Sequence, residues 1–186
     1  MAKRICPWWL GYLLACPLRR LIQDPHRILS PFVKPGMTVA DLGCAMGFFS
    51  LPLARLVGPQ GKVVCVDLQQ RMLASLLRRA RRAALLGRLD LRLCSTNSLN
   101  LDDLEKTLDF ALAFAMVHEL PSPETFFREA YRALRKDGRL LVVEPRGHVT
   151  QNAFATTVSL TAQAGFEEID RPLISLSHGV CLRKPD

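Results

Sequence analysis

The chain has 186 residues, 49% of them apolar and 23% charged, with a formal net charge of +8. These values fit one ordinary soluble globular domain with a single buried core, and the positive charge suits an anionic partner or serves solubility alone. Six cysteines lie scattered, with no C-x-x-C pair and no Cys/His cluster at metal-ligand spacing, which excludes a metal site of that kind and predicts free thiols in a reducing cytoplasm.

At the start, Lys3 and Arg4 precede an apolar run from Ile5 to Leu18 containing Trp8, Trp9 and Tyr12, and Arg19-Arg20 follow. The basic start and Leu13-Leu14-Ala15-Cys16 superficially match a lipoprotein signal. Pro7 and Pro17 interrupt that pattern, and the run is too short to span a bilayer. Two readings stay open: an amphipathic segment that covers a site or rests on a membrane surface, with Trp and Arg at the interface, or a helix packed on the core. The division expected is an N-terminal helical lid or membrane-surface segment over 1–30, then one domain over 31–186. Asp24 caps a short helix that opens with Pro25, and Pro31, Pro35 and Gly36 punctuate the entry to the first strand.

Val39-Ala40-Asp41-Leu42-Gly43-Cys44-Ala45-Met46-Gly47-Phe48-Phe49-Ser50 reads as an apolar strand, a carboxylate at its end, a small-residue turn and a helix start. Gly43 and Gly47 let backbone approach a ligand closely, since a Cβ there would occupy its space. The helix that follows, roughly 48–57, begins with its N–H groups pointed at the same crevice. Gly61-Lys62-Val63-Val64-Cys65-Val66-Asp67 is a second apolar strand ending on an acid. It lies roughly twenty residues past the turn, the spacing at which a carboxylate meets a ribose diol. A lone glycine turn is as well explained by an ordinary strand–helix connection; Asp41 before it and Asp67 after it favour nucleotide-type binding.

At these residues the chain resembles the class I S-adenosylmethionine-dependent methyltransferases, in particular the small-molecule methylases acting on quinones and similar acceptors. Their pattern is an acid followed by three glycines at alternate positions; Asp41, Gly43 and Gly47 match, and Ala45 stands at the middle glycine. The resemblance extends over about Pro35 to Pro145. It implies S-adenosylmethionine as cofactor and places Asp41, Gly43, Cys44, Gly47, Asp67 and Leu68 around it.

Downstream, Gln69 to Leu86 carries Met72, Leu73, Leu76, Leu77 and Ala80 at helical spacing. Arg78, Arg79, Arg81 and Arg82 near its end read as a solvated basic face suited to the helix dipole. Asp90–Cys94 is a third strand. In the loop after it the family places an acid and a small residue at the adenine amine; Asn97 and Ser98 stand there, a carbonyl acceptor and a hydroxyl donor. As a turn residue, Asn97 has an equally good structural reason. Leu108 to Phe114 is a buried strand leading into Ala115-Met116-Val117-His118-Glu119. The resemblance sets Ala115 at the methionine end of the cofactor. His118 is a candidate general base or acceptor-orienting group, with packing or capping as its plain alternative and Glu119 as a weaker candidate.

Ser122-Pro123-Glu124 starts a helix whose buried stripe is Phe126, Phe127, Ala130, Tyr131 and Leu134, with Asp137-Gly138 ending it. The run from Glu129 to Leu140 is very like the methylases' helix–turn–strand passage. A fifth strand follows over 139–145, and Arg146 and His148 at its end could meet an anionic acceptor. A helix over 151–164 and two strands, 166–171 and 175–183, close the chain. These fit the family's closing antiparallel pair, and the fold the resemblance implies is α/β: a Rossmann-like seven-stranded sheet, mostly parallel with an antiparallel last strand, order 3-2-1-4-5-7-6, helices on both faces. Tight later connections leave the N-terminal segment to supply much of a lid.

The activity implied is in-line methyl transfer to a small molecule, in the cytoplasm, with peripheral membrane contact and a homodimer compatible with the sequence. A nicotinamide oxidoreductase is disfavoured, because Gly43 to Gly47 lacks G-x-G-x-x-G spacing and Asp41 would crowd a pyrophosphate. A nucleic-acid methylase using the basic surface is disfavoured by the absence of an Asn-Pro-Pro-Tyr-like motif or a Pro-Cys pair. A cofactor-binding module without chemistry remains the third alternative.

Overall fold

The computed structural model describes residues 17–185, so all but the end of the apolar run from Ile5 to Leu18 lies outside the described residues. Among the described residues seven strands form one sheet in the order β3-β2-β1-β4-β5-β7-β6. This is the expected topology. The chain divides into two compact units, and residue 95 begins the second.

In the first unit, Pro17–Leu21 is a 3-10 turn and α1 is Pro25–Leu29, capped as expected by Asp24 on the His26 N–H. Parallel strands β1 (Thr38–Leu42), β2 (Lys62–Asp67) and β3 (Leu89–Leu93) pair with Asp41 opposite Cys65 and Asp67 opposite Leu93. Val39, Ala40, Leu42, Val63, Val64 and Val66 have no exposure, which accounts for the unbroken apolar runs of these strands. Helix α2 (Ser50–Leu56) buries five consecutive residues, and α3 (Gln70–Arg82) turns Met72, Leu73, Ser75, Leu76 and Ala80 inward. Leu77, expected in that stripe, is only half-buried, and Ser75 takes its place.

In the second unit, β4 (Leu108–Phe114) and β5 (Leu134–Pro145) are parallel, while β7 (Ser177–Arg183) runs antiparallel to both β5 and β6 (Glu167–Asp170). Helix α4 (Pro123–Ala133) packs on β5 and on α5 (Gln151–Gln163). Two local expectations change here. Ser122 precedes α4, but its hydroxyl turns to the side chains of Glu124 and Thr125 and caps no backbone N–H. The helix also ends at Ala133, before Asp137-Gly138, which instead form a bulge inside β5.

The early stop has a physical cause. The Lys106 and Thr107 N–H groups take the Arg132 and Ala133 carbonyls, each at 2.9 Å, which draws the chain end of α4 toward the start of β4. Lys184 takes two more, its Nζ donating to the Tyr131 and Leu134 carbonyls, both at 2.8 Å, while lying 4.6 Å from the Tyr131 ring centroid. Burial lowers the Lys184 ammonium below its ordinary range, the expected effect of withdrawing a cation from water. Two charge-assisted bonds at a helix end predict that Lys184→Met costs about 2 kcal/mol. The check is a lower urea midpoint at unchanged slope.

Candidate functional site

At the end of β1 the chain makes three left-handed turns at alternate positions: Gly43 at φ 78°, Ala45 at φ 46° and Gly47 at φ 82°. The loop is stitched to β2 by the Gly43 and Cys44 N–H groups, both donating to the Val66 carbonyl at 2.9 Å. Asp67 then clamps it. Its Oδ2 accepts from the Ala45 N–H at 2.8 Å, and its Oδ1 accepts from the Gln69 N–H at 2.8 Å. The acid that spacing pairs with a ribose thus also fixes the backbone of the glycine loop.

Asp41 lies beneath that loop at 2% exposure, its Oδ2 accepting from the Ser50 hydroxyl at 2.5 Å. Loss of water around the carboxylate pushes it up to about 7; the nearby Asp67 charge adds to this and the Ser50 bonds oppose it. Cys44 is buried beside Cys65, and burial drives its thiol well above the ordinary range, so its side chain is an inert filler. Leu68 is half-buried just past β2.

Helix α3 braces the loop in two ways, and the second corrects a reading from the sequence. A Cβ on Gly47 would stand 2.3 Å from Leu76 Cδ1, so that glycine also admits helix α3 against the loop. Arg79, expected on a solvated face, is half-buried and donates to the Met46 carbonyl, holding the loop from α3. Arg19 also reaches this region, 4.4 Å from the Phe48 ring centroid. Nothing in its sequence position marks it for that contact.

In the second unit, Asn97 is exposed at the tip of a turn closed by the Ser95 N–H on the Ser98 carbonyl at 3.0 Å. Ser98 Oγ donates to Glu129 Oε2 at 3.3 Å and accepts from the Asn100 N–H. Ala115 is left-handed at φ 56°, held by its N–H on the Val143 carbonyl at 2.7 Å. His118, in a 3-10 turn (Val117–Glu119), sets Nδ1 against Glu144 Oε2, and its ring meets the exposed His148 edge-on at 5.7 Å. Glu119 Oε1 lies 3.9 Å from Nε2. Arg146 spends its Nε on the Ser177 carbonyl at 3.1 Å.

Glu144 is a residue of this site that the sequence reading gave no role. The signal was a carboxylate closing the apolar run Leu140 to Val143, where an acid is costly unless something holds it.

A parallel sheet reversed at β7, with a left-handed loop after β1 and an acid closing β2, defines a class I S-adenosylmethionine-dependent methyltransferase. The chain belongs to the methyltransferase domain family, whose profile matches residues 33–172. It is 30% identical over 125 residues to the ubiquinone/menaquinone biosynthesis C-methyltransferase of Escherichia fergusonii, covering 64% of this chain and 49% of that protein. It is 28% identical over 112 residues to the demethylmenaquinone methyltransferase of Lactobacillus johnsonii, covering 60% and 45%. The chain thus spans less than half the length of these two relatives. The fold is shared with the crystal structure of a SAM-dependent methyltransferase from Aquifex aeolicus, at a TM-score of 0.87 and 23% identity over 97% of this chain and 100% of that one.

S-adenosylmethionine, the cofactor of that family, carries positive charge on its sulfur and its amino group. Two buried acids, Asp41 and Asp67, the second raising the protonation of the first, fit a cation and repel a pyrophosphate. The donor set therefore suits this cofactor.

Two outcomes follow from the loop. Ala45→Gly removes a left-handed alanine and should raise stability by roughly 1 kcal/mol in urea unfolding. Asp41 binds a proton in the native state up to about pH 7 that the unfolded chain has released above its ordinary 3.8. Its contribution to stability therefore declines as pH rises from about 4 to about 7 and is level above that. In unfolding curves across this range, Asp41→Asn should remove that part of the slope.

Proposed function

We propose that this chain transfers a methyl group from S-adenosylmethionine to a small-molecule acceptor. The observation that carries the reading is the loop after β1, held in its left-handed form by Asp67 over a buried Asp41. When bound, the cofactor supplies a methyl group on a cationic sulfur, an electrophile with its leaving group already prepared. The protein's remaining work is to bind, align and exclude water.

On this reading Asp67 takes the ribose hydroxyls, and the backbone of Gly43, Cys44 and Leu68 borders the nucleoside. Asn97 accepts from the adenine amine, Asp41 and Ala115 border the amino-acid end, and His118 receives the acceptor's proton. The two curated relatives, a demethylmenaquinone methyltransferase and a ubiquinone/menaquinone biosynthesis C-methyltransferase, support a small aromatic acceptor. Among the described residues no helix is long and apolar enough to cross a membrane. Leu18, Leu21 and Ile22 are 70%, 84% and 54% exposed, which suits peripheral contact with an apolar surface. The four described cysteines are free thiols, consistent with work in the cytoplasm.

Isothermal titration with S-adenosylmethionine tests this directly. The unmodified protein should bind, and Asp67→Ala should weaken binding by roughly 10- to 100-fold, the loss of bonds to a charged group. No heat of binding from the unmodified protein would overturn the reading.

A further inference from the structure

We propose that the helical layer of the first unit is a docking face for a bilayer of anionic phospholipid. This goes beyond methyl transfer and does not depend on it. Charge is divided unevenly along the chain. Residues 17–94 hold eleven arginines and two lysines against four aspartates and no glutamate, a surplus of nine positive charges. Residues 95–186 hold ten basic and thirteen acidic residues, so the net charge of +8 comes from the part of the chain before them. The four aspartates do little to offset the surplus. Asp41 and Asp67 are buried, Asp24 caps α1, and Asp90 is taken by Arg92 at 2.9 Å and Lys62 at 3.8 Å.

Topology gathers these cations on one surface. The chain steps from β1 to β2 to β3 in a single direction across the sheet, and right-handed crossovers taken in one direction put both connecting helices, α2 and α3, on the same face. Helix α1 packs against α2. Because α3 turns its apolar side to the sheet, Arg71, Arg78 and Arg82, at i, i+7 and i+11, stand in one exposed row along its outer side, with Arg81 beside them. Arg27 in α1 and Arg55 in α2 belong to the same layer and are exposed. Among the described residues, Arg27, Arg55, Arg78, Arg81 and Arg82 pair with no carboxylate. Such a surface repels itself, and a plane of phosphate headgroups relieves that repulsion.

A guanidinium fork fits phosphate in a lipid headgroup and in a nucleic acid alike, and the apolar side chains of the unit decide between them. Leu18, Leu21 and Ile22 are exposed just before α1, in the segment whose Arg19 lies over Phe48 at the approach to α2. Aliphatic side chains at the rim of a basic face can enter the acyl boundary while the arginines meet the headgroups. Single-stranded nucleic acid instead calls for exposed aromatic rings on which bases stack. Phe48 and Phe49 are buried and Phe32 is half-buried, so among the described residues of this unit no Phe, Tyr or Trp is exposed.

Co-sedimentation of the full chain with phosphatidylcholine vesicles, with and without phosphatidylserine, tests the proposal and needs neither cofactor nor acceptor. The protein should bind the mixed vesicles, bind phosphatidylcholine alone far less, and be released as salt rises. Replacing Arg78, Arg81 and Arg82 together by glutamine should weaken binding roughly 100-fold, about fivefold for each charge. The same three positions as lysine should keep binding within about fivefold, which separates charge from any effect on folding. Arg128→Gln with Arg139→Gln, in the second unit, should leave binding unchanged. Absent binding, equal binding without phosphatidylserine, indifference to salt, or equal loss in the second-unit variant overturns the proposal. So does release of the protein from the vesicles by poly(U) RNA of equal charge, which would assign the face to nucleic acid.

Discussion

The hydrogen bond from the Ala45 N–H to Asp67 Oδ2 is the contact on which the first unit's functional loop depends. A loop with three left-handed residues in five is not a conformation that the chain holds by local preference, least of all with alanine at the middle one. A carboxylate at the end of the neighbouring strand supplies what local preference lacks. It can do so only because β1 and β2 pair in a register that places Asp67 just beyond the last β1 partner. Arg79 on the Met46 carbonyl and the Leu76 side chain against Gly47 hold the same loop from helix α3. The loop's shape is therefore a property of β1, β2 and α3 together.

A common device recurs at the ends of three strands. Asp41, Asp67 and Glu144 are acids in otherwise apolar segments, at 2%, 7% and 1% exposure. Each is held by a donor: the Ser50 hydroxyl, the Ala45 and Gln69 amides, the Val117 amide and His118. Removing a carboxylate from water is costly, and a few hydrogen bonds only partly offset it. The raised protonation of Asp41 is that residual cost made visible. Acids kept at such expense are better explained by what they position than by what they stabilise. Fold alone would not justify that statement, since a shared sheet does not fix chemistry; the donors around each acid do.

The departures from local signals have one theme. Ser122 looked like a cap and Asp137-Gly138 like a helix stop, yet α4 ends where Lys106, Thr107 and Lys184 claim its carbonyls. Asp-Gly still makes a turn, but within β5, where Asp137 at φ 57° forms a bulge against β4. The loop after β3 is likewise held from afar, since Glu129 takes the Ser98 hydroxyl and the Leu99 N–H at 2.6 Å. In each case a residue distant in sequence outcompeted a neighbour.

By itself the sequence determined the family, and the strand order came with that resemblance. Apolar runs closed by acids, and glycines at alternate positions, are local patterns whose spacing reflects the strand–turn–helix repeat directly. It also located Asp41, Asp67 and His118, because polar residues at the ends of buried strands stand out against their surroundings. Only the tertiary structure decided what those residues touch. That Asp67 braces Ala45, that Gly47 makes room for Leu76 and that Glu144 holds His118 depend on pairs 22, 29 and 26 positions apart. Such pairs meet through sheet register and helix packing, and neither leaves a mark on the residues beside them in the chain.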